Sequence, residues 1–172
     1  MLNPIAILIL EHKMIQKGLA LLGRLGQKES PESTSDLEEL IGFFQLYADR
    51  RHHGKEEDLL FKALLKKTLP KELRKILQEL IDEHKTARNL INTLKTLKQV
   101  PLLEKQACIQ KITALYTEHI EKENNRFFVP SFQFFSEEEK TALLNQFQNF
   151  DQNLKNPKNY EKIFSEIETR TP

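Results

Sequence analysis

Four stretches of the chain carry apolar residues at helical spacing, and each stripe is interrupted near its middle by histidine. An imidazole set among leucines needs a polar partner, so the helices must assemble in a way that gives these groups something to bind. The first stripe is Ile5, Leu8, Ile9, Ile15, Leu19 and Leu22, with His12 among them. The second is Leu37, Ile41, Phe44, Ala48, Leu59, Leu60 and Ala63, with the pair His52 and His53. In the third, Leu73, Leu77, Leu80, Ile81, Ala87, Ile91 and Leu94 flank His84, and in the fourth His119 sits with Ile112, Leu115, Glu123 and Phe127.

The punctuation between stripes predicts where the helices begin and end. Asn3 followed by Pro4 is a favoured N-cap and first helical residue, and the first helix should end around residues 23–26. Residues 28–34 read as a loop. Ser35 with Glu38 three residues later predicts a capping box opening the second helix, which stops before Pro70, itself placed as the first residue of the third. The third helix should run to about Gln99, with Pro101 beyond it, and the fourth from Leu102 to Val129, ended by Pro130. No strand alternation competes with this pattern. The expected fold is all-α: an up-down-up-down four-helix bundle over residues 1–130, with residues 131–172 a C-terminal helical extension packed on it. In that extension Ser136 and Glu139 predict a capping box before a short helix ending near Phe150, Asn156-Pro157 a break, and Tyr160–Arg170 a last helix.

Composition narrows the function classes. With 26 basic and 25 acidic residues and a net charge of +1, a dedicated nucleic-acid binder and an electrostatic membrane binder are both disfavoured. The single cysteine, Cys108, rules out a disulfide within the chain and suits a reducing compartment; its place early in the fourth helix reads as a small core residue. The apolar run Ile5–Leu10 is too short to span a bilayer and lacks the flanks of a signal peptide, so the expected location is the cytoplasm.

The chemistry lies in the spacing of the histidines and carboxylates. His52 with Glu56, or His53 with Glu57, and His119 with Glu123 are pairs one helical turn apart, able to converge on one ion. The chain also repeats itself. Glu11-His12-Lys13 recurs as Glu83-His84-Lys85, and HHGKEEDLLF from His52 to Phe61 aligns without a gap to HIEKENNRFF from His119 to Phe128. The alignment matches His52 to His119, Lys55 to Lys122, Glu56 to Glu123 and Phe61 to Phe128. Two helical hairpins, each donating one lone histidine and one His-x-x-x-Glu pair, follow from this. The repeat and the more apolar face of His52 favour the His52/Glu56 register. His53 and Glu57 then stand behind the ligands or at the surface, and Asp58 on a solvated face.

Imidazoles from His12, His52, His84 and His119 with carboxylates from Glu56 and Glu123 are a ligand set for two metal ions. Each ion takes two histidines, and the glutamates bridge. Nitrogen and oxygen donors suit iron, with manganese or zinc as substitutes, and the lack of thiolates disfavours a closed structural zinc site. Two glutamates buried in an apolar bundle require compensating cations. The chain has no Glu-x-x-His, no His-Glu-x-x-His and no phosphate-cradling glycine loop, which disfavours ferritin-like, zincin and nucleotide-binding readings. Phe43, Phe44, Phe61, Phe127 and Phe128 read as core or cavity wall.

With the pattern H…HxxxE…H…HxxxE met by His12, His52 and Glu56, His84, and His119 and Glu123, residues 4–130 resemble the hemerythrin-like proteins of the HHE cation-binding group. The resemblance implies a non-haem centre of two Fe ions, oxo- or hydroxo-bridged, and a small partner: O2, NO or peroxide. One position departs from the oxygen carriers, which place another histidine one turn after the third-helix ligand; Arg88 stands there, behind the ligands. The pattern is therefore nearer to members linked to iron-centre repair, to NO or oxygen response and to iron sensing. The competing reading is a metal-stabilised regulatory module that binds a protein partner without turnover. On the His52 register, His119→Ala should cut metal content sharply and His53→Ala should not.

Overall fold

The computed structural model describes residues 3–27, 31–97, 100–154 and 158–170. These residues form six helices and no strand. Helix α1 is Pro4–Leu25; Asn3 caps it, its side chain accepting from the Ala6 amide at 2.8 Å, and Pro4 opens the first turn. Helix α2 spans residues 31–64, α3 is Lys71–Thr96, and α4 spans residues 102–132. Helix α5 is Glu137–Gln152, with the Ser136 and Glu139 capping box fully formed, and α6 is Tyr160–Arg170.

Each of α1 to α4 packs against the next along the chain, and α4 closes back on α1, as the short connections of an up-down-up-down bundle require. The interior divides into two apolar layers. One gathers Leu19, Leu22, Phe43, Phe44, Ile91, Ile112 and Tyr116, with Tyr160, Phe164 and Ile167 of α6 packed onto it. The other gathers Leu8, Leu60, Phe61, Leu77, Leu80, Phe127 and Phe128, with Leu143 and Phe147 of α5. Each fully buried leucine or phenylalanine stabilises the fold by roughly 1.5–3 kcal/mol relative to leaving it exposed. All five histidines are buried in the bundle.

Several boundaries differ from expectation. Helix α2 begins at Pro31, not near Ser35. Proline is well suited to a first helical turn; within this helix Asp36 is buried and accepts from Arg170 of α6 at 2.7 Å. Helix α4 runs through Pro130 to Phe132. The chain has a local irregularity at Phe127 (φ −115°), so Pro130 falls in the first turn after it, where no helical partner is lost. Pro70 and Pro101 immediately precede α3 and α4 as their N-caps. The Asn156-Pro157 break, the end of α3 at Gln99 and residues 28–30 of the first loop lie outside the described residues. No helix among the described residues is long and apolar enough to cross a membrane.

Candidate metal centre

In a regular α-helix adjacent residues point about 100° apart, which sets His52 and His53 on different flanks of the buried face. Here α2 is not regular. It is π-helical over Phe44–His53 and again over Glu56–Phe61. The wider turn changes the angular step between residues, and such turns gather at functional sites. Along this stretch His52, His53 and Glu56 are all buried, at 1%, 1% and 0% exposure. Helix α4 repeats the device with a π-helical stretch, Glu123–Phe127, that starts at its buried carboxylate.

The side chains converge as two groups. His12, His52, Glu56 and Glu123 form one, and His53, Glu56, His84 and His119 the other; within each, the candidate donor atoms all lie within 4.8 Å of one another. Glu56 belongs to both. Its Oε1 is 3.5 Å from His52 Nε2 and its Oε2 is 3.5 Å from His84 Nε2. Glu123 also reaches two ways, with Oε2 3.1 Å from His12 Nε2 and 3.2 Å from His119 Nε2. Both carboxylates are thus positioned to bridge.

Behind the ring nitrogens stands a set of acceptors with approximate two-fold symmetry. His52 Nδ1 faces Glu11 Oε2 at 3.0 Å, and His119 Nδ1 faces Glu83 Oε2 at 2.9 Å. Lys55 binds the other oxygen of Glu11, and Lys122 the other oxygen of Glu83. His12 Nδ1 meets Asn124 Oδ1 at 2.9 Å, and His84 Nδ1 meets Glu57 Oε1 at 2.7 Å. Glu57 and Asn124 are equivalent in the repeat, one following Glu56 and the other Glu123. Phe128 stacks on His12 and Phe61 on His84, with centroids at 5.7 and 5.8 Å. An acceptor at Nδ1 calls for a proton there and leaves the Nε2 lone pair for the centre.

Two features break the symmetry. His53 is matched in the repeat by Ile120, so one group has three histidines and the other two. Arg88 occupies the next turn of α3 after His84 and donates to Glu57 at 2.6 Å and to Asp49 at 2.7 Å. Asp49 in turn lies 3.5 Å from His53 Nδ1.

The electrostatics match a cation site. Among the described residues, seven buried side-chain atoms make no hydrogen bond: His12 Nε2, His52 Nε2, His53 Nδ1 and all four oxygens of Glu56 and Glu123. Burial pushes His52 down to about 3 and His53 to about 4, holding both neutral as ligands must be. Burial and the facing Glu123 push Glu56 up, whereas His119 and His12 outweigh burial and draw Glu123 down. Burial opposes charge on His119, but Glu123 and Glu83 prevail and lift it to about 9. Bare carboxylates this deep are costly, and cations among these nitrogens and oxygens remove the cost. The residues therefore fit a metal.

The model of the hemerythrin HHE cation binding domain matches residues 3–129. The chain belongs to the hemerythrin HHE family. No curated protein matches it. Hemerythrin HHE domains bind metal cations, and hemerythrin domains generally bind small diatomic ligands.

Within this hemerythrin-like bundle, His12, His52, Glu56, His84, His119 and Glu123 all reach the centre. His53, expected behind the ligands or at the surface, lies with Glu56, His84 and His119 in one of the two groups, on the π-helical stretch of α2. Glu57, expected behind the ligands or at the surface, stands behind His84, and Asp58 is exposed and pairs with Lys62. Arg88 lies behind the centre through Asp49 and Glu57. Sequence reasoning missed the roles of Glu11, Glu83, Lys55, Lys122 and Asn124. Their signal was present in the repeat, in the paired Glu-His-Lys triplets and the aligned lysines.

Proposed function

We propose that this chain is a non-haem di-iron protein that binds, senses or reacts with O2, peroxide or NO, or handles iron. The observation that carries the reading is Glu56. One buried carboxylate offers an oxygen to each of two histidine groups, and none of its lone pairs is otherwise used. His12, His52, Glu56 and Glu123 would hold one ion, and His53, His84, His119 with the same glutamates the other. Bound iron would supply open positions for a small oxidant or NO and would change between ferrous and ferric states.

The chain's own residues set the conditions. Glu11, Asn124, Glu57 and Glu83 orient the imidazoles and keep their protons on the outer nitrogens. Leu8, Phe61, Phe127 and Phe128, each at most 1% exposed, exclude bulk water from one side, and Phe44 and Tyr116 from the other. A diatomic molecule can pass such walls more readily than a hydrated ion. Manganese or zinc would fit the same donors. The lone buried thiol, Cys108, suits a reducing, cytoplasmic setting.

The test is metal content by mass spectrometry on untagged protein, with an absorption spectrum in air on the same sample. Two irons per chain with near-ultraviolet bands of a bridged ferric pair support the reading. One zinc per chain, or no metal after anaerobic Fe(II) loading, overturns it in favour of a helical interaction module.

A further inference from the structure

The two halves of the centre are closed differently. On the α3–α4 side, Lys122 binds Glu83 and Glu79, both on α3, and stands partly in water at 17% exposure. On the α1–α2 side, Lys55 is wholly buried. Its partners are Glu11 of α1 and Asp151 of α5, whose oxygens lie at 3.0 and 3.3 Å. Asp151 also accepts two hydrogen bonds from Arg51, at 3.1 and 2.9 Å, and Arg51 reaches Glu11 Oε1 at 3.2 Å. Two cations and two carboxylates thus form one neutral cluster, and the Glu11 oxygen on His52 Nδ1 joins it to the centre.

Helix α5 is fitted to this turn of α2. Phe147 lies under the Lys55 ammonium, 5.8 Å from centroid to nitrogen. Phe150 covers Gly54 so closely that a Cβ there would meet its ring at 2.8 Å. The covered residues, Arg51, Gly54 and Lys55, run between His52 and Glu56 or abut them. Without Asp151, two positive groups would compete for Glu11 with no water available to Lys55. A carboxylate shared among cations is drawn away from an imidazole.

We propose that Asp151, which lies beyond the family-matched segment, is a positioning residue for the His52 half of the metal centre. By neutralising Lys55 and Arg51, it holds Glu11 on His52 Nδ1 and so makes the docking of α5 part of metal retention. This rests on the two-ion reading above.

The experiment compares full-length wild type, Asp151→Asn, Asp151→Glu and the matched control Glu79→Gln, each loaded anaerobically with Fe(II) and then challenged with excess chelator. Outer partners of metal-bound histidines typically matter by about 10–100-fold. Asp151→Asn is expected to release one of its two ions at least about ten-fold faster, with the second at the wild-type rate. Glu79→Gln should release both at wild-type rates, and Asp151→Glu should restore the slow phase. The His52 Nδ1 proton, read by imidazole NMR of the metal-free protein, should lose its downfield shift in Asp151→Asn. Unchanged release, or equal acceleration of both ions, overturns the proposal in favour of a purely structural α5. If wild type takes up no Fe(II), the di-iron reading fails by itself, and the NMR signal still decides whether Asp151 orders the Glu11–His52 bond.

Discussion

His53 and His84 stack face to face across the bundle, ring centroids 3.9 Å apart and planes within 15°, although they come from different helices. Tyr116 stacks on His53 as well, at 5.9 Å. The position one turn beyond His84 is filled by Arg88, and the additional imidazole comes from α2.

That geometry reverses the expectation for His53. His53→Ala should lower metal content toward one ion per chain, as His119→Ala should, and leave the helical circular dichroism intact. Metal content equal to wild type in His53→Ala would show that the imidazole is only a neighbour of the site.

Metal should also be a large contributor to stability. A cation bound only by the folded chain adds about 2.7 kcal/mol at a free concentration one hundred times its Kd. Chelator-stripped protein is therefore expected to melt several degrees lower than the Fe(II)- or Zn(II)-loaded form, with the loss restored by adding metal back. Coincident thermal melts would contradict this.

Two glycines should respond differently to alanine. A Cβ at Gly18 would lie 2.6 Å from the ring of Phe43, which is fully buried and cannot yield. Gly18→Ala should destabilise by about 1–3 kcal/mol through overpacking. At Gly54 the obstructing ring is Phe150, near the end of α5 and only partly buried, while alanine favours a helix interior by roughly 0.5–1 kcal/mol. Gly54→Ala should change the denaturant midpoint little but loosen α5, visible as faster amide exchange around residues 147–152.

Cys108 should be a slow thiol. Burial pushes its pKa up, and its Sγ donates to the Leu90 carbonyl at 3.5 Å. Alkylation at pH 8 is expected to be far slower in folded protein than in denaturant and to quicken with rising pH beyond the range of a free thiol. Native-state labelling at the denatured rate would show that this end of α4 opens readily.

Phe61 is 1% exposed, stacked on His84 and edge-on to Phe127. Phe61→Ala should cost about 3–5 kcal/mol in chemical denaturation. The stripped protein should show nearly the same loss, because the defect is a cavity rather than a missing ligand.

By itself, the sequence determined the periodic apolar stripes, the caps at Asn3 and Ser136, the histidine on every bundle helix and the repeat from His52–Phe61 to His119–Phe128. These are local or periodic properties, so they are legible without coordinates. Backbone register within a helix is not. The apolar pattern favours His52 over His53, and only the packed bundle, in which α2 is π-helical on both sides of Gly54, places both beside Glu56. Nor could spacing reveal that Asp151, 96 residues from Lys55, closes that lysine's hydrogen bonds. Contacts at that separation are selected by the fit of whole helices, Phe150 over Gly54 and Phe147 under Lys55. Long-range pairing of charges is the outcome of burial, and burial is a property of the assembled structure.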